Sequence, residues 1–229
     1  LVTNMLWLDP SDYGKRDEKI PGLSLALWAQ YLLDNFETVD EAVQALESST
    51  FQLVGQAIPV TVPGAGTTMS AAVLHLSLTD KSGDSAIVEY INGKQVVNHD
   101  RKYTIMTNQP SFDEQQENLR QYQGFGGAKP LPGTTEPADR FVRAAFYMKM
   151  SPKPNDYREA LAGILSVARA APQPFPASGD PKHPYAGATI WTSIADSSFG
   201  SYSLAMATSP FIAWANFAAF TLHPGPPLT

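Results

Sequence analysis

Ser85-Ala86-Ile87-Val88-Glu89-Tyr90-Ile91-Asn92-Gly93-Lys94-Gln95-Val96-Val97-Asn98-His99 is the stretch whose reading decides the fold. Asn92-Gly93 is a strong hairpin signal, because both central residues of a type I′ turn need positive φ. Ser85–Ile91 therefore reads as one strand and Lys94–His99 as its antiparallel return. Upstream, Ala71–Leu78 alternates, with Val73 opposed to Leu74, Leu76 and Leu78, and Asp80-Lys81-Ser82-Gly83 has turn composition. Downstream, Tyr103–Thr107 alternates as a fourth strand. It stops at Asn108-Gln109-Pro110, since proline cannot donate to a ladder. A meander of antiparallel strands dominates the first half of the chain.

Outward from that meander, Leu1–Leu8 reads as a strand ended by Asp9-Pro10-Ser11-Asp12. Leu23, Leu27, Trp28 or Tyr31, and Leu32 recur at helical spacing and predict a helix from Gly22 to Leu33. Val39–Leu46 predicts a second helix, with Thr38 and Glu41 at capping-box spacing. Phe51–Ile58 reads as a strand and Pro59–Thr68 as a loop. Ser111 and Glu114 form another capping-box pair ahead of a helix over Phe112–Tyr122. Pro137–Met150 and Asp156–Ala170 are amphipathic helices, and Pro137 suits a first helical turn. Ala171–Tyr185 is a proline-rich loop. Ala188–Ile194, Ser201–Ala207 and Phe211–Asn216 are three more strands, and His223–Thr229 is a Pro-Gly-rich tail expected to fray. Two groups of antiparallel strands with helical pairs before and between them predict one α+β domain over residues 1–229.

Composition narrows the function. A chain of 229 residues with formal net charge −6 and no basic stripe argues against nucleic-acid binding. No apolar run reaches the length of a bilayer span, which argues against a membrane protein. The chain contains no cysteine, which removes disulfides, thiolate catalysis and cysteine-based zinc sites from these residues. The four histidines, at 75, 99, 183 and 223, have no metal-ligand spacing, and His75 reads as a core or sheet-face residue. Gly124-Phe125-Gly126-Gly127 precedes a proline loop and offers no helix-terminal phosphate site. Nothing in the sequence calls for a cofactor.

Two residues stand out. Asn108 lies between a strand and a helix, where it reads as a satisfied turn asparagine or as an amide donor for a developing oxyanion. Arg140 reads as a helix-surface partner of Glu136 or Asp139, or as a clamp for a carboxylate. Gly83-Asp84-Ser85 is similar to the start of a serine-esterase motif, but it falls in a hairpin turn instead of a strand-to-helix elbow.

Taken together, several segments in order resemble the choloylglycine hydrolase family, and within it the Gram-negative penicillin V acylase-like branch. They are Leu6-Trp7-Leu8, Trp28 to Phe36 with Thr38 to Ala42, Ser82 to Ile87, and Met106 to Asp113. Leu131-Pro132-Gly133, Asp139 to Ala144, Thr189 to Ser193 and Thr208-Ser209-Pro210 complete the set. The resemblance implies an N-terminal-nucleophile αββα sandwich of two antiparallel sheets. It also implies hydrolysis of a linear amide through a cysteine thioester, with penicillin V, an acyl-homoserine lactone or a conjugated bile salt as substrate class. Asn108 matches the family's oxyanion asparagine and Arg140 the arginine of its active-site set. Trp7 matches the position whose backbone N–H is the other oxyanion donor, and its indole, with Leu8, would line an acyl pocket. No cofactor or metal is implied.

The departure from the family is the nucleophile. The family's cysteine, and the Arg and Asp that follow it, lie upstream of anything present, so the chain resembles the last three quarters of the enzyme. It is expected to be inactive alone, incomplete at its N-terminus, and to need the missing N-terminal segment. The rival expectation is a non-catalytic homologue that binds acyl ligands. The family further implies a homo-oligomer, a tetramer by its usual pattern, and a periplasmic location, although the loop between Tyr122 and Leu131 is short for its Gram-positive assembly element.

Overall fold

The computed structural model describes residues 1–48, 51–62, 66–171, 173 and 188–220. In chain order these form β1 (Val2–Trp7), β2 (Gly22–Ser24), α1 (Trp28–Asn35), α2 (Val39–Glu47), β3 (Gln52–Val54), β4 (Ala57–Val62) and β5 (Gly66–Ala71). The meander follows as β6 (Leu74–Thr79), β7 (Ser85–Ile91) and β8 (Lys94–His99). Next come α3 (Phe112–Leu119), α4 (Pro137–Met150), α5 (Tyr157–Arg169), β9 (Trp191–Asp196), β10 (Ser201–Met206) and β11 (Ile212–Asn216).

The Asn92-Gly93 turn forms as its chemistry requires, with φ of 53° and 73°. Around it the strands pair antiparallel in the order β1-β6-β7-β8, and a second antiparallel sheet runs β11-β10-β9. Leu76, Leu78, Ala86, Val88 and Tyr90 share one face of the first sheet, because side chains alternate along a strand. They pack against Trp28, Leu32, Val39, Ala42, Val43 and Leu46 of α1 and α2 in the main core. Ile87 points the other way and meets Phe112 and Phe141, which begin a smaller core with Tyr103, Ile105, Met106 and Leu119. Strand β7 is thus buried on both faces, which is why its sequence shows little polar alternation. The result is an α+β fold in which helices pack on both faces of the four-stranded antiparallel sheet, beside a three-stranded antiparallel sheet and two smaller strand pairs.

Four expectations need correction. Tyr103–Thr107 is not a strand: it has no ladder partner, and a turn at Asp100, whose carboxylate accepts from Lys102 N at 3.0 Å, turns the chain out of the sheet. Its alternating apolar residues are satisfied by packing on α3 and α4 instead. The first helix begins at Trp28, because Gly22–Ser24 pairs parallel with β3 and Leu25–Leu27 forms a 3₁₀ turn. Pro59 lies inside β4, which pairs with β5 as an isolated two-stranded ribbon where both strands are edges and a proline is tolerated. Residues 57–62 and 66–71 are therefore paired antiparallel strands where a loop was expected over 59–68. The short strand expected over 51–58 divides into β3 and the start of β4. The 171–185 loop, apart from 171 and 173, and the 223–229 tail lie outside the described residues.

The capping signals are realised. Thr38 Oγ1 accepts from Glu41 N at 3.2 Å and Glu41 Oε2 accepts from Thr38 N at 3.2 Å. A long-range contact adds to this cap. Asp80, 7% exposed in the β6–β7 turn, accepts from Val39 N at 2.8 Å and from Ser82 N at 2.8 Å. Burial pushes its carboxyl upward, but hydrogen bonds from Ser82, Val39 and Asp84 outweigh this and hold it below the usual carboxylate range. A depressed folded value means stability that is present above about pH 4, where the unfolded carboxyl is ionised, and lost as pH falls through the folded value. Asp80→Asn turns one acceptor oxygen into a donor facing a backbone N–H, and is expected to cost about 1–3 kcal/mol at neutral pH. In urea unfolding followed against pH, the gap to wild type should narrow in acid; a gap constant from pH 7 to pH 3 would refute the assignment.

Candidate functional site

The site begins at the outer edge of β1. Leu8 N donates to Val73 O at 2.9 Å just past the Trp7–Leu74 end of the β1–β6 ladder, so the Leu8 N–H points toward the β6 side. Antiparallel pairs alternate, so the N–H and C=O of the adjacent Trp7 point away from β6. Strand β1 is the end strand of its sheet, and the Trp7 backbone therefore faces outward. Asn108 meets it there: its Nδ2 donates to Trp7 O at 2.9 Å.

Arg140 completes the contact. Its Nη2 donates to Asn108 Oδ1 at 2.7 Å, and its Nε donates to Thr135 O at 3.0 Å. Arginine has donors only, so this bond fixes which end of the Asn108 amide is oxygen and turns the NH₂ toward β1. Among the described residues Nδ2 makes one hydrogen bond, to Trp7 O, which leaves its second N–H for another acceptor. The local sequence explains the placement. The Gln109–Pro110 peptide is cis, and Ser111 starts α3 with its N–H donating to Glu114 Oε2 at 3.0 Å. Arg140 stands in the first turn of α4, its N–H donating to Glu136 O at 2.9 Å. Burial, and then the charge of Arg143, lower its pKa from the ordinary value, with Glu136 acting in the opposite sense; a guanidinium stays charged regardless.

The structure thus brings together Trp7, Asn108 and Arg140, which stand 101 and 32 positions apart along the chain. The Trp7 indole is anchored by Nε1 donating to Asp9 Oδ1 at 2.6 Å. Leu8 is elsewhere: it is fully buried, and its side chain belongs to the interior and offers no surface to a ligand. Arg140 directs hydrogen bonds to Asn108 Oδ1 and Thr135 O, while the charge of Glu136 acts on it as well. Ser85 is 3% exposed and its hydroxyl donates to Tyr103 O at 2.6 Å, so it is not presented as a nucleophile. His99 Nε2 instead meets Asp84 Oδ2 at 2.8 Å.

Sequence reasoning missed the polar residues beneath the site. Gln115 and Glu89 are 2% and 1% exposed. Gln115 Nε2 donates to Asn108 O at 2.8 Å, and Glu89 receives Phe112 N on both oxygens at 3.1 Å and pairs with His75 Nδ1 at 2.9 Å. The signal for both was present. Gln115 shares the α3 face of Phe112 and Leu119, and Glu89 interrupts Ile87-Val88-Glu89-Tyr90-Ile91. A polar residue on an otherwise apolar stripe marks a buried partner.

Comparison with known proteins identifies the family. Residues 1–227 match the linear amide C–N hydrolases of the choloylglycine hydrolase family. The chain is 41% identical over 239 aligned residues to penicillin V acylase from Pectobacterium atrosepticum, covering 98% of this chain and 61% of that protein. The structure of penicillin V acylase from Agrobacterium tumefaciens superposes with a TM-score of 0.80 at 44% identity, covering 95% of this chain and 63% of that one. A variant of conjugated bile acid hydrolase from Clostridium perfringens shares the fold, with a TM-score of 0.74 at 22% identity over 96% of this chain and 70% of that chain. This chain spans about three fifths of the length of the penicillin V acylases it matches. It belongs to the choloylglycine hydrolase family of linear amide C–N hydrolases.

Proposed function

We propose that this chain supplies the oxyanion-stabilising part of an amidohydrolase that cleaves linear amides, with acyl amides of the penicillin V type as the substrate class. The observation that carries the reading is the Arg140–Asn108–Trp7 contact, which sets the second N–H of the Asn108 amide beside the outer edge of β1, the side to which strand alternation also turns the Trp7 N–H. In the mechanism a cysteine thiolate attacks the amide carbonyl, the carbonyl oxygen becomes an oxyanion, and the amine leaves with a proton. The resulting thioester is then hydrolysed by water. Asn108 Nδ2–H and Trp7 N–H hold the oxyanion, whose charge is larger in the transition state than in the substrate. Arg140 orients the Asn108 amide. The Trp7 indole offers an apolar face to an aromatic or aliphatic acyl group.

The cysteine is not among these 229 residues, and the mechanism takes it from an N-terminal segment. The direct experiment joins this chain to the N-terminal region of the Pectobacterium acylase and assays penicillin V, an acyl-homoserine lactone and a glycine-conjugated bile salt. Hydrolysis of penicillin V or the acyl-homoserine lactone is expected. A folded chimera that turns over none of the three would overturn the reading. The rival reading is a homologue that binds acyl ligands without cleaving them. The upstream gene sequence separates the two: a Cys followed closely by Arg and Asp supports the enzyme, and their absence supports binding.

A further inference from the structure

Gln115 occupies a position where a leucine would pack at less cost. It lies on α3 with Phe112 three residues before and Leu119 four residues after, and it is 2% exposed. A primary amide buried there loses its hydration and must find partners. Its Nε2 lies 2.8 Å from Asn108 O, 3.0 Å from Thr107 Oγ1 and 3.2 Å from Pro110 O. Both N–H groups are therefore spent on Thr107, Asn108 and Pro110. Thr107 Oγ1 passes the tie onward, donating at 2.9 Å to the carbonyl of Pro137, the first residue of α4. Arg140 projects from the same turn of α4 to the Asn108 side chain. Asn108 is thus held twice, its backbone from α3 and its side-chain oxygen from α4.

We propose that Gln115 is a positioning residue for Asn108: by fixing the Asn108 carbonyl it sets the direction in which the Asn108 amide leaves the backbone toward Trp7. Its catalytic consequence rests on the oxyanion reading above; its structural content does not. The position requires a neutral donor, because the groups around Nε2 are acceptors. A carboxylate at 115 would face the Asn108 and Pro110 carbonyls. The charged groups nearby are Glu114 on α3, which accepts from Ser111, and Glu89 on β7, which binds Phe112 N and His75. On α4 the guanidinium of Arg140 is already directed to Asn108 Oδ1 and Thr135 O. Two negative groups against one engaged cation disfavour an ionised side chain at this place.

The test is the side-chain ¹⁵N–¹H₂ signal of Asn108 in the ¹⁵N-labelled 229-residue chain, assigned by its loss in Asn108→Ala. In the wild type its two protons should be widely separated and the Trp7-bonded one slow to exchange. Gln115→Leu should bring the pair together and speed exchange, while the Asn35 amide, whose Nδ2 donates to Tyr31 O at 2.7 Å, stays unchanged as an internal control. Gln115→Glu should show the same loss at alkaline pH, where even this buried carboxyl ionises, and recover the wild-type signal as pH falls and a protonated carboxyl again donates to Asn108 O. That acid rescue is a response that a packing role would not produce, and it carries the test if Gln115→Leu does not fold. In the completed enzyme Gln115→Glu should lower kcat by about tenfold at alkaline pH relative to wild type, with KM little changed and the deficit closing as pH falls. An Asn108 signal unmoved in both folded variants would overturn the proposal. A signal that moves while Asn108→Ala keeps full turnover would leave Gln115 as the positioning residue and remove the oxyanion reading instead.

Discussion

Asn108→Ala in the nucleophile-bearing chimera is expected to lower kcat by about a hundredfold or more and to leave KM within about threefold of wild type. The split follows from what the side chain does. Its free N–H meets the carbonyl oxygen only weakly in the bound substrate and strongly once that oxygen carries charge, so its loss falls on the transition state. The substitution also strips Arg140 Nη2 of its acceptor, a bond of 2.7 Å in a partly buried setting. Asn108→Asp keeps that acceptor but sets a carboxylate oxygen against Trp7 O, where the amide donates at 2.9 Å, and against the developing oxyanion. It should be at least as damaging as alanine, which separates donation at this position from mere occupancy. Arg140→Lys keeps the charge but gives up the planar fork that reaches Asn108 and Thr135 together, and is expected to cost about tenfold in kcat. Steady-state assays of the three variants check this; wild-type kcat in Asn108→Ala would show that the oxyanion is held elsewhere.

How much of this was legible beforehand depended on the range of the interactions. The hairpin at Asn92-Gly93, the capping boxes at Thr38 and Ser111 and the Pro137 helix start are all written in residues within a few positions of one another. They formed as read. The strand expected at Tyr103–Thr107 failed because alternation specifies two faces and says nothing of what covers them. There the cover is Phe112 and Phe141, and no ladder forms. Burial of β7 on both sides concealed its alternation for the complementary reason. Trp7, Asn108 and Arg140 could be matched to a family but not to one another, because spacing carries no sign of a contact spanning 101 residues. Gln115 and Glu89 were visible as polar interruptions of apolar stripes, but the bonds that tie them to the Asn108 loop and to α3 run mostly to backbone atoms, which leave no mark in a sequence.

Glu89→Ala is expected to destabilise the chain by about 3–5 kcal/mol, the largest stability effect among these substitutions. Glu89 is 1% exposed at the centre of the four-stranded sheet, and its carboxylate is the shared acceptor for two elements. Phe112 N, the first N–H of α3, lies 3.1 Å from each oxygen, and His75 Nδ1 lies 2.9 Å from Oε1. A negative charge there is favoured by the positive end of the helix dipole, and the bond satisfies an N–H that the helix itself cannot. Alanine leaves that N–H and the His75 ring nitrogen buried without an acceptor, and opens a cavity beside Ile87, Phe112 and Phe141. Glu89→Gln is the informative control. Its carbonyl oxygen still accepts from Phe112 N, so it should recover more than half of the loss; its NH₂ then faces His75, which must turn its lone pair to meet it. The comparison also reports on the site. If α3 is anchored through Glu89, local unfolding in Glu89→Ala should raise amide exchange first at Phe112 and Gln115 and then at Asn108, before α1 and α2 are affected. Urea unfolding joined to amide exchange reads both effects. Equal exchange rates across α1 and α3 in Glu89→Ala would mean that this carboxylate stabilises the fold as a whole and does not hold the Asn108 loop in particular.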